Sequence, residues 1–339
     1  MSRPRPRPTA AALGAALVAA LVLTACGARV EQAPPPTGGP VTVTNCGAPV
    51  TYPAPPRRVV TNDINMAEMM FALGLGDRMA GYVVSEGQNG GIAGSPWRAE
   101  FERLPRLGDE LTVEVARAAN ADLVFAGWNY GFSEASGVTP ESLAAVGVPS
   151  YLLTETCRNG QGRARGVMPP LDALYTDVTN LGAIFGVSGR AEALVADYRR
   201  LVDTAAASIP PGRAPRVFLY DAGVDQPFTA GRTAGAQDVI ARAGGENIFD
   251  DVDDSWTTVG WEPVTQLDPE VILINDYGGG EPVTAADKEA LLRSFGPTAT
   301  TTAVREGRFF VLPYAALVSG PRNPQAIADF AAYLRTVPR

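Results

Sequence analysis

RVVTNDINMAEMMFALGLGDRMAGYV, residues 58–83, decides the fold. Arg57 to Thr61 reads as a short buried strand, and Asn62-Asp63-Ile64-Asn65 as a turn. Met66 to Leu73 is an apolar-rich helix closed by Gly74 and Gly76, and Met79 to Val84 is a second strand. A strand, a helix and a strand in this order make the unit of a parallel sheet. The pattern repeats downstream. Helical Val113–Ala119 precedes a strand at 122–126 (DLVFA), and helical Leu143–Val146 precedes one at 150–154 (SYLLT).

From Leu171 to Ala207 the period is helical throughout, with Gly186 and Gly189 as notches. At 1.5 Å per residue such a helix would reach about 50 Å, the length of a bridge between two bodies. Pro210-Pro211-Gly212 ends it. Alternation then resumes with RVFLY (216–220), a helix over 237–243 closed by Gly244-Gly245, VILIN (271–275) and FFVL (309–312). The expected fold class is α/β. It has an N-terminal lobe over 57–170, one bridging helix over 171–207 and a C-terminal lobe over 208–339. Glu114 lies eight residues before Asp122, and Glu262 eight before Glu270, a weak internal echo of two related lobes.

The composition narrows the chemistry. Of 339 residues, 46% are hydrophobic and 19% charged, which fits a folded core. A net charge of −8 argues against a nucleic-acid partner. Histidine is absent, which removes Ser-His-Asp and Cys-His catalysis and histidine-ligated zinc. Lysine occurs once, at Lys288, in no catalytic or phosphate-binding motif. GLGDR (74–78) follows a helix, not a strand, and is no dinucleotide fingerprint. An enzyme is not expected.

Arg3, Arg5 and Arg7 precede a 14-residue apolar run, Ala10 to Leu23, too short to span a bilayer. The run ends in Leu23-Thr24-Ala25-Cys26-Gly27, which resembles a bacterial lipobox. Residues 1–25 are therefore read as an export signal, Cys26 as the lipidated terminus, and 26–56 as a Pro/Gly/Thr-rich tether. The body is then held outside the cell membrane by lipid alone. Cys46 and Cys157 remain as an even pair in an oxidising compartment, either a disulfide or two buried thiols.

Five blocks together carry a resemblance: residues 58–83, LTVEVARAANADLVFAG (111–127), ARAGGENIFDD (241–251), WEPVTQLDPEVILIND (261–276) and VREGRFFVLP (304–313). Over residues 50–339 the chain resembles the substrate-binding lipoproteins of ABC importers, in the helix-bridged class that carries iron-siderophores, haem or vitamin B12. The resemblance implies two Rossmann-like lobes, a single connecting helix, a ligand in the cleft between the lobes, and no catalysis. It implies a permease dimer with ATPase subunits as partner and a monomeric body. No cofactor is implied; the ligand itself brings iron or cobalt. Glu114 and Glu246 match the glutamates that dock the lobes onto the permease, with Glu68 and Glu262 as rivals.

Ligands of open α/β sheets sit beyond the carboxyl ends of strands. The candidates there are Asn62, Asn65, Trp128, Tyr130, Arg158, Arg163, Tyr220, Asp221, Trp256, Tyr277 and Tyr314. Aromatic faces would cover a large chelate and arginines its anionic oxygens. Each has a plainer alternative. The asparagines could cap a helix, Trp128 and Tyr130 could be core, and Arg158, Arg163 and Arg165 could form a solvated face. Trp261 is read as structural. A ferric siderophore is the first choice of ligand, a corrinoid the second and haem the third. Two other readings stand beside these: an oxygen-only metal site from Asp63, Glu155, Asp221, Asp225 or Asp276, and a surface lipoprotein without transport.

Overall fold

The computed structural model describes residues 39–160, 162, 164–278 and 283–339. The export-signal reading, Cys26 and Arg163 lie outside the described residues. Among those described, no helix is long and apolar enough to cross a membrane.

The chain opens with an antiparallel hairpin, β1 (Val41–Asn45) and β2 (Ala48–Tyr52), where a tether was expected. Alternating Val and Thr residues suit a half-buried strand, and Cys46-Gly47 turn with positive φ. Two parallel sheets follow. The first has strand order β5–β4–β3–β6–β7, with β8 also on β6. Its strands are β3 (Val59–Asn62), β4 (Met79–Val83), β5 (Arg106–Gly108), β6 (Leu123–Trp128), β7 (Gly131–Phe132) and β8 (Ser150–Leu152). Counting on, β9 is Arg216–Tyr220, β10 Phe228–Ala230, β11 Glu246–Asn247, β12 Trp256–Thr258, β13 Val271–Asp276 and β14 Phe309–Pro313. The second parallel sheet runs β11–β9–β13–β14, and β10 pairs with β12 as a short antiparallel ribbon.

The hairpin is fastened to the first sheet. Asn45 donates to the Leu152 carbonyl at 2.8 Å and accepts from the Leu152 N–H at 2.9 Å, so one buried amide does the work of a neighbouring strand at the edge of β8. The Tyr52 phenol donates to Ser150 O at 3.0 Å. Cys46 and Cys157 are joined by a disulfide.

Side-chain parity divides the core. On β6, Leu123 and Phe125 join a large central cluster, while Val124, Ala126 and Trp128 join an outer one. On β9, Val217 and Leu219 point to the central cluster, Phe218 and Tyr220 to a second outer one. β13 divides in the same way. Both sheets are covered on both faces, as parallel sheets are. Burying each large apolar side chain contributes roughly 1.5–3 kcal/mol.

The expected continuous helix over 171–207 is instead two helices, Pro170–Ile184 and Ser188–Ala207. The first closes at Phe185, and Gly186 takes a φ of 70°, which turns the chain. Close packing of Gly182 on Ala191 holds the pair together. The first helix leaves the second sheet's side, where the Leu171 N–H donates to Asp238, and reaches the hairpin, where Asn180 donates to Thr44 O. The second, about 30 Å long, returns from Ala72, whose carbonyl accepts from Arg190, to Ser208, which accepts from Arg335. The crossing is a pair of helices, and the longer one is the bridge.

Candidate functional site

The carboxyl ends of the strands of both sheets converge on a cleft of about 560 Å³. From the first sheet come Asn62 at the end of β3 with Asp63 beyond it, Asp109 to Leu111 after β5, and Asn129 to Gly131 at the turn from β6 into β7. From the second come Asp221 after β9, Asn275 and Tyr277 at β13, and Tyr314 after β14. Phe228 and Trp256 add the ribbon, and Gln88, Ser136 and Arg165 complete the wall. A cleft of this size, with aromatic walls set among amides and carboxylates, suits a small-molecule ligand.

Asp63 sits at the floor. It is buried, with a φ of 74°, a strained conformation for a residue with a side chain. Its carboxylate accepts from the Ile64 N–H at 2.6 Å, from Gln88 at 3.2 Å and from the Tyr314 phenol. Burial pushes its pKa up to about 6, against the pull of those hydrogen bonds. Tyr277 stacks on Tyr314 with ring centroids 4.7 Å apart, and its phenol donates to Asp221 at 3.1 Å. Asn275 also donates to Asp221, at 2.8 Å. Trp256 stacks on Phe228 at 6.0 Å. Its indole N–H is buried with no partner among the described residues.

The turn after β6 brings Tyr130 to the wall. Gly127 and Tyr130 exchange backbone hydrogen bonds, and Gly131, at a φ of 101°, passes so close to Asn62 that a Cβ would lie 2.8 Å from its side chain. Burial holds the Tyr130 phenol well above its ordinary pKa, and the charges of Glu155 and Asp63 add to this.

Beside the cleft, buried polar contacts tie the two sheets together. Arg322 pairs with Glu68, which also accepts from Ser95. Asn65 donates to Ser319 O at 2.7 Å. Glu155 accepts from the Ser319 N–H at 3.0 Å, the Gly235 N–H at 3.2 Å and Ser255 at 2.8 Å. Burial raises the pKa values of Glu68 and Glu155.

Of the ligand candidates, the structure brings Asn62, Tyr130, Asp221, Trp256, Tyr277 and Tyr314 to the cleft. Four others lie elsewhere. Asn65 is buried in its contact with Ser319. Tyr220 points to the outer core beside Trp261, whose indole donates to Val224 O at 2.7 Å. Trp128 also points to an outer core, with the Arg158 guanidinium 3.6 Å over its ring. Arg158 pairs with Glu134, and these residues line a recess of about 350 Å³ that adjoins the cleft at Asn129 and Arg165. Trp128 and Tyr220 occupy even positions on strands whose odd positions face the central core, a signal readable in the sequence. Gln88, Asp109, Glu110, Asn129, Phe228 and Asn275 are not among the candidates: Asp109 and Glu110 follow β5 and Phe228 opens β10, two short strands that the sequence does not announce, whereas Asn129 and Asn275 lie at the ends of strands it does. No three acidic or cysteine side chains gather as a metal site among the described residues. Asp225 is exposed and Glu155 is buried in its own hydrogen bonds, so the oxygen-only alternative has no cluster. Glu114, on the first turn of the helix Val113–Ala118, and Glu246, which opens β11, are both exposed.

The family model for periplasmic binding proteins matches residues 59–316, which includes both parallel sheets. The chain belongs to the periplasmic binding protein family. Members of this family are extracytoplasmic binding proteins of transport systems, not enzymes. Three relatives frame this periplasmic binding protein. The structure of an ABC-type Fe3+-hydroxamate transport system from Saccharomonospora viridis is 26% identical, with a TM-score of 0.70 over 87% of this chain and 98% of that one. A periplasmic heme binding protein from Pseudomonas aeruginosa is 26% identical, with a TM-score of 0.65 over 84% and 94%. A vitamin B12-binding protein of Yersinia pestis is 25% identical over 220 residues, 64% of this chain and 69% of that protein.

Proposed function

We propose that this periplasmic binding protein captures a ferric siderophore in the cleft and hands it to the permease of an ABC importer. The observation that carries the reading is the cleft itself: about 560 Å³ at the carboxyl ends of two parallel sheets, walled by Tyr277, Tyr314, Trp256 and Phe228. Aromatic faces of this kind cover a bulky chelate, and the amides of Asn62, Gln88 and Asn129 offer it hydrogen bonds. The likeness to the hydroxamate transport protein supports this choice. Corrinoid and haem are the second reading, supported by the relatives that carry those names. Cys26 is the lipid anchor in this reading, and Glu114 and Glu246 are the permease contacts.

Tryptophan fluorescence of the full-length chain tests the ligand. Saturable quenching at sub-micromolar concentration by a ferric siderophore, corrected for absorption, is the expected result. Cyanocobalamin or haemin binding alone would select the second reading. Silence from all three would leave a surface lipoprotein without transport. Charge reversal at Glu114 with Glu246 should abolish uptake and leave affinity unchanged; a fall in affinity would refute the docking assignment.

A further inference from the structure

We infer that the cleft selects a metal chelate with no net negative charge, so that among siderophores it takes a ferric trishydroxamate and rejects tris-catecholate and polycarboxylate complexes. This rests on the receptor reading above. The sequence reading placed arginines around an anionic ligand, and the structure distributes them otherwise. Arg158 lines an adjoining recess, which shares Asn129 and Arg165 with the cleft, and is neutralised there by Glu134. Arg165 is the one cation among the described residues of the cleft wall. It is only 6% exposed, donates to Trp256 O at 3.1 Å and lies 3.5 Å from Asp254. One of its donors is committed to Trp256 O, and Asp254 offsets its charge, before any ligand arrives.

Against it the wall carries the carboxylates of Asp63, Asp109, Glu110 and Asp221. Two more cations stand close behind. Arg106 pairs with Asp109, and buried Lys288 donates to Asn275 O at 2.7 Å beneath the Tyr277 ring. With Asp254 included, five carboxylates face three cations. Asp63, with a pKa near 6, is mostly ionised at neutral pH.

Such an acidic wall disfavours anions: buried Asp63 and Asp221 are weakly screened, and exposed Asp109 and Glu110 add a salt-dependent repulsion. Three hydroxamates carry one negative charge each and cancel Fe3+. Three catecholates carry two each and leave a trianion. The donors that remain suit a neutral ligand. The side-chain amides of Asn62, Gln88 and Asn129 line the cleft and match an amide or hydroxamate carbonyl.

A charge series on one scaffold tests this. Ferrioxamine B carries a pendant ammonium, its N-acetyl derivative is neutral, and its N-succinyl derivative ends in a carboxylate. The iron coordination is the same in all three. Titration of the full-length chain by fluorescence should rank them cation, neutral, anion, with at least tenfold between the first and last at low salt. The gap should narrow as salt rises and in Glu110→Gln. A flat or reversed series, or binding of a tris-catecholate in its place, overturns the inference and leaves the receptor reading intact. Cyanocobalamin as the sole ligand removes the siderophore reading and supports the charge rule, since that complex is neutral. If no chelate of any charge binds, the receptor reading and the inference fall together.

Discussion

Tyr314 donates its phenol hydrogen bond to Asp63, and with that bond the last strand of the second sheet meets the first strand of the other. The two residues are 251 positions apart in sequence. A strained backbone, a buried carboxylate and the stacked pair Tyr277–Tyr314 meet at this point on the cleft floor.

The Asp63 carboxyl gives stability a pH dependence of definite sign. Native Asp63 holds its proton until about pH 6, whereas the unfolded chain releases it near the ordinary aspartate value. The stabilisation is complete below the unfolded pKa and is lost as pH rises through the folded one. The loss is about 3 kcal/mol. Asp177, with a pKa raised to about 7, slopes the same way. Urea midpoints measured between about pH 4 and pH 7 should fall less steeply for Asp63→Asn than for wild type. Equal slopes would mean that Asp63 is not the titrating group.

The Glu68–Arg322 pair is buried on both sides. Arg322→Ala leaves the carboxylate without its counter-ion and should cost about 3–5 kcal/mol in denaturant unfolding. Replacing both residues by methionine should cost much less. A single variant as mild as the double one would show that water reaches Glu68.

Reduction of Cys46–Cys157 should lower stability by about 2–5 kcal/mol. The hairpin Val41–Tyr52 is attached by that bond and by the hydrogen bonds of Asn45, Tyr52 and Asn180. Limited proteolysis of the reduced protein should therefore cut within the hairpin first. First cleavage inside either parallel sheet would contradict this.

Trp256 and Trp128 should separate binding from stability. Trp256→Ala removes part of the cleft wall and should weaken ligand binding by about 1–3 kcal/mol. Trp128→Ala empties an outer-core position and should lower stability by about 3–5 kcal/mol while affinity holds. Equal losses of affinity would place Trp128 in the binding site after all.

The alternation of strands and helices made the two sheets legible, because short β-branched runs such as VILIN, bounded by turn residues, favour extended backbone. The strand ends then located the cleft. Parity along β6 and β9 could have removed Trp128 and Tyr220, had the odd positions been assigned to the central core. The hairpin was hidden by prolines and glycines that read as a tether. The break at Gly186 reads in the sequence only as a notch, since glycine within a helical pattern does not announce a reversal. The links Asp63–Tyr314, Glu68–Arg322 and Glu155–Ser319 leave no local trace, for their partners lie 164 to 254 residues apart.

The disulfide has a mechanical consequence. Tension applied to the chain ahead of residue 39 meets Cys46 before it has crossed the hairpin turn. From there a covalent path leads to Cys157, two residues beyond Glu155. A pull on the N-terminal end therefore bypasses the rest of the hairpin and arrives beside the buried carboxylate that joins the two halves of the molecule.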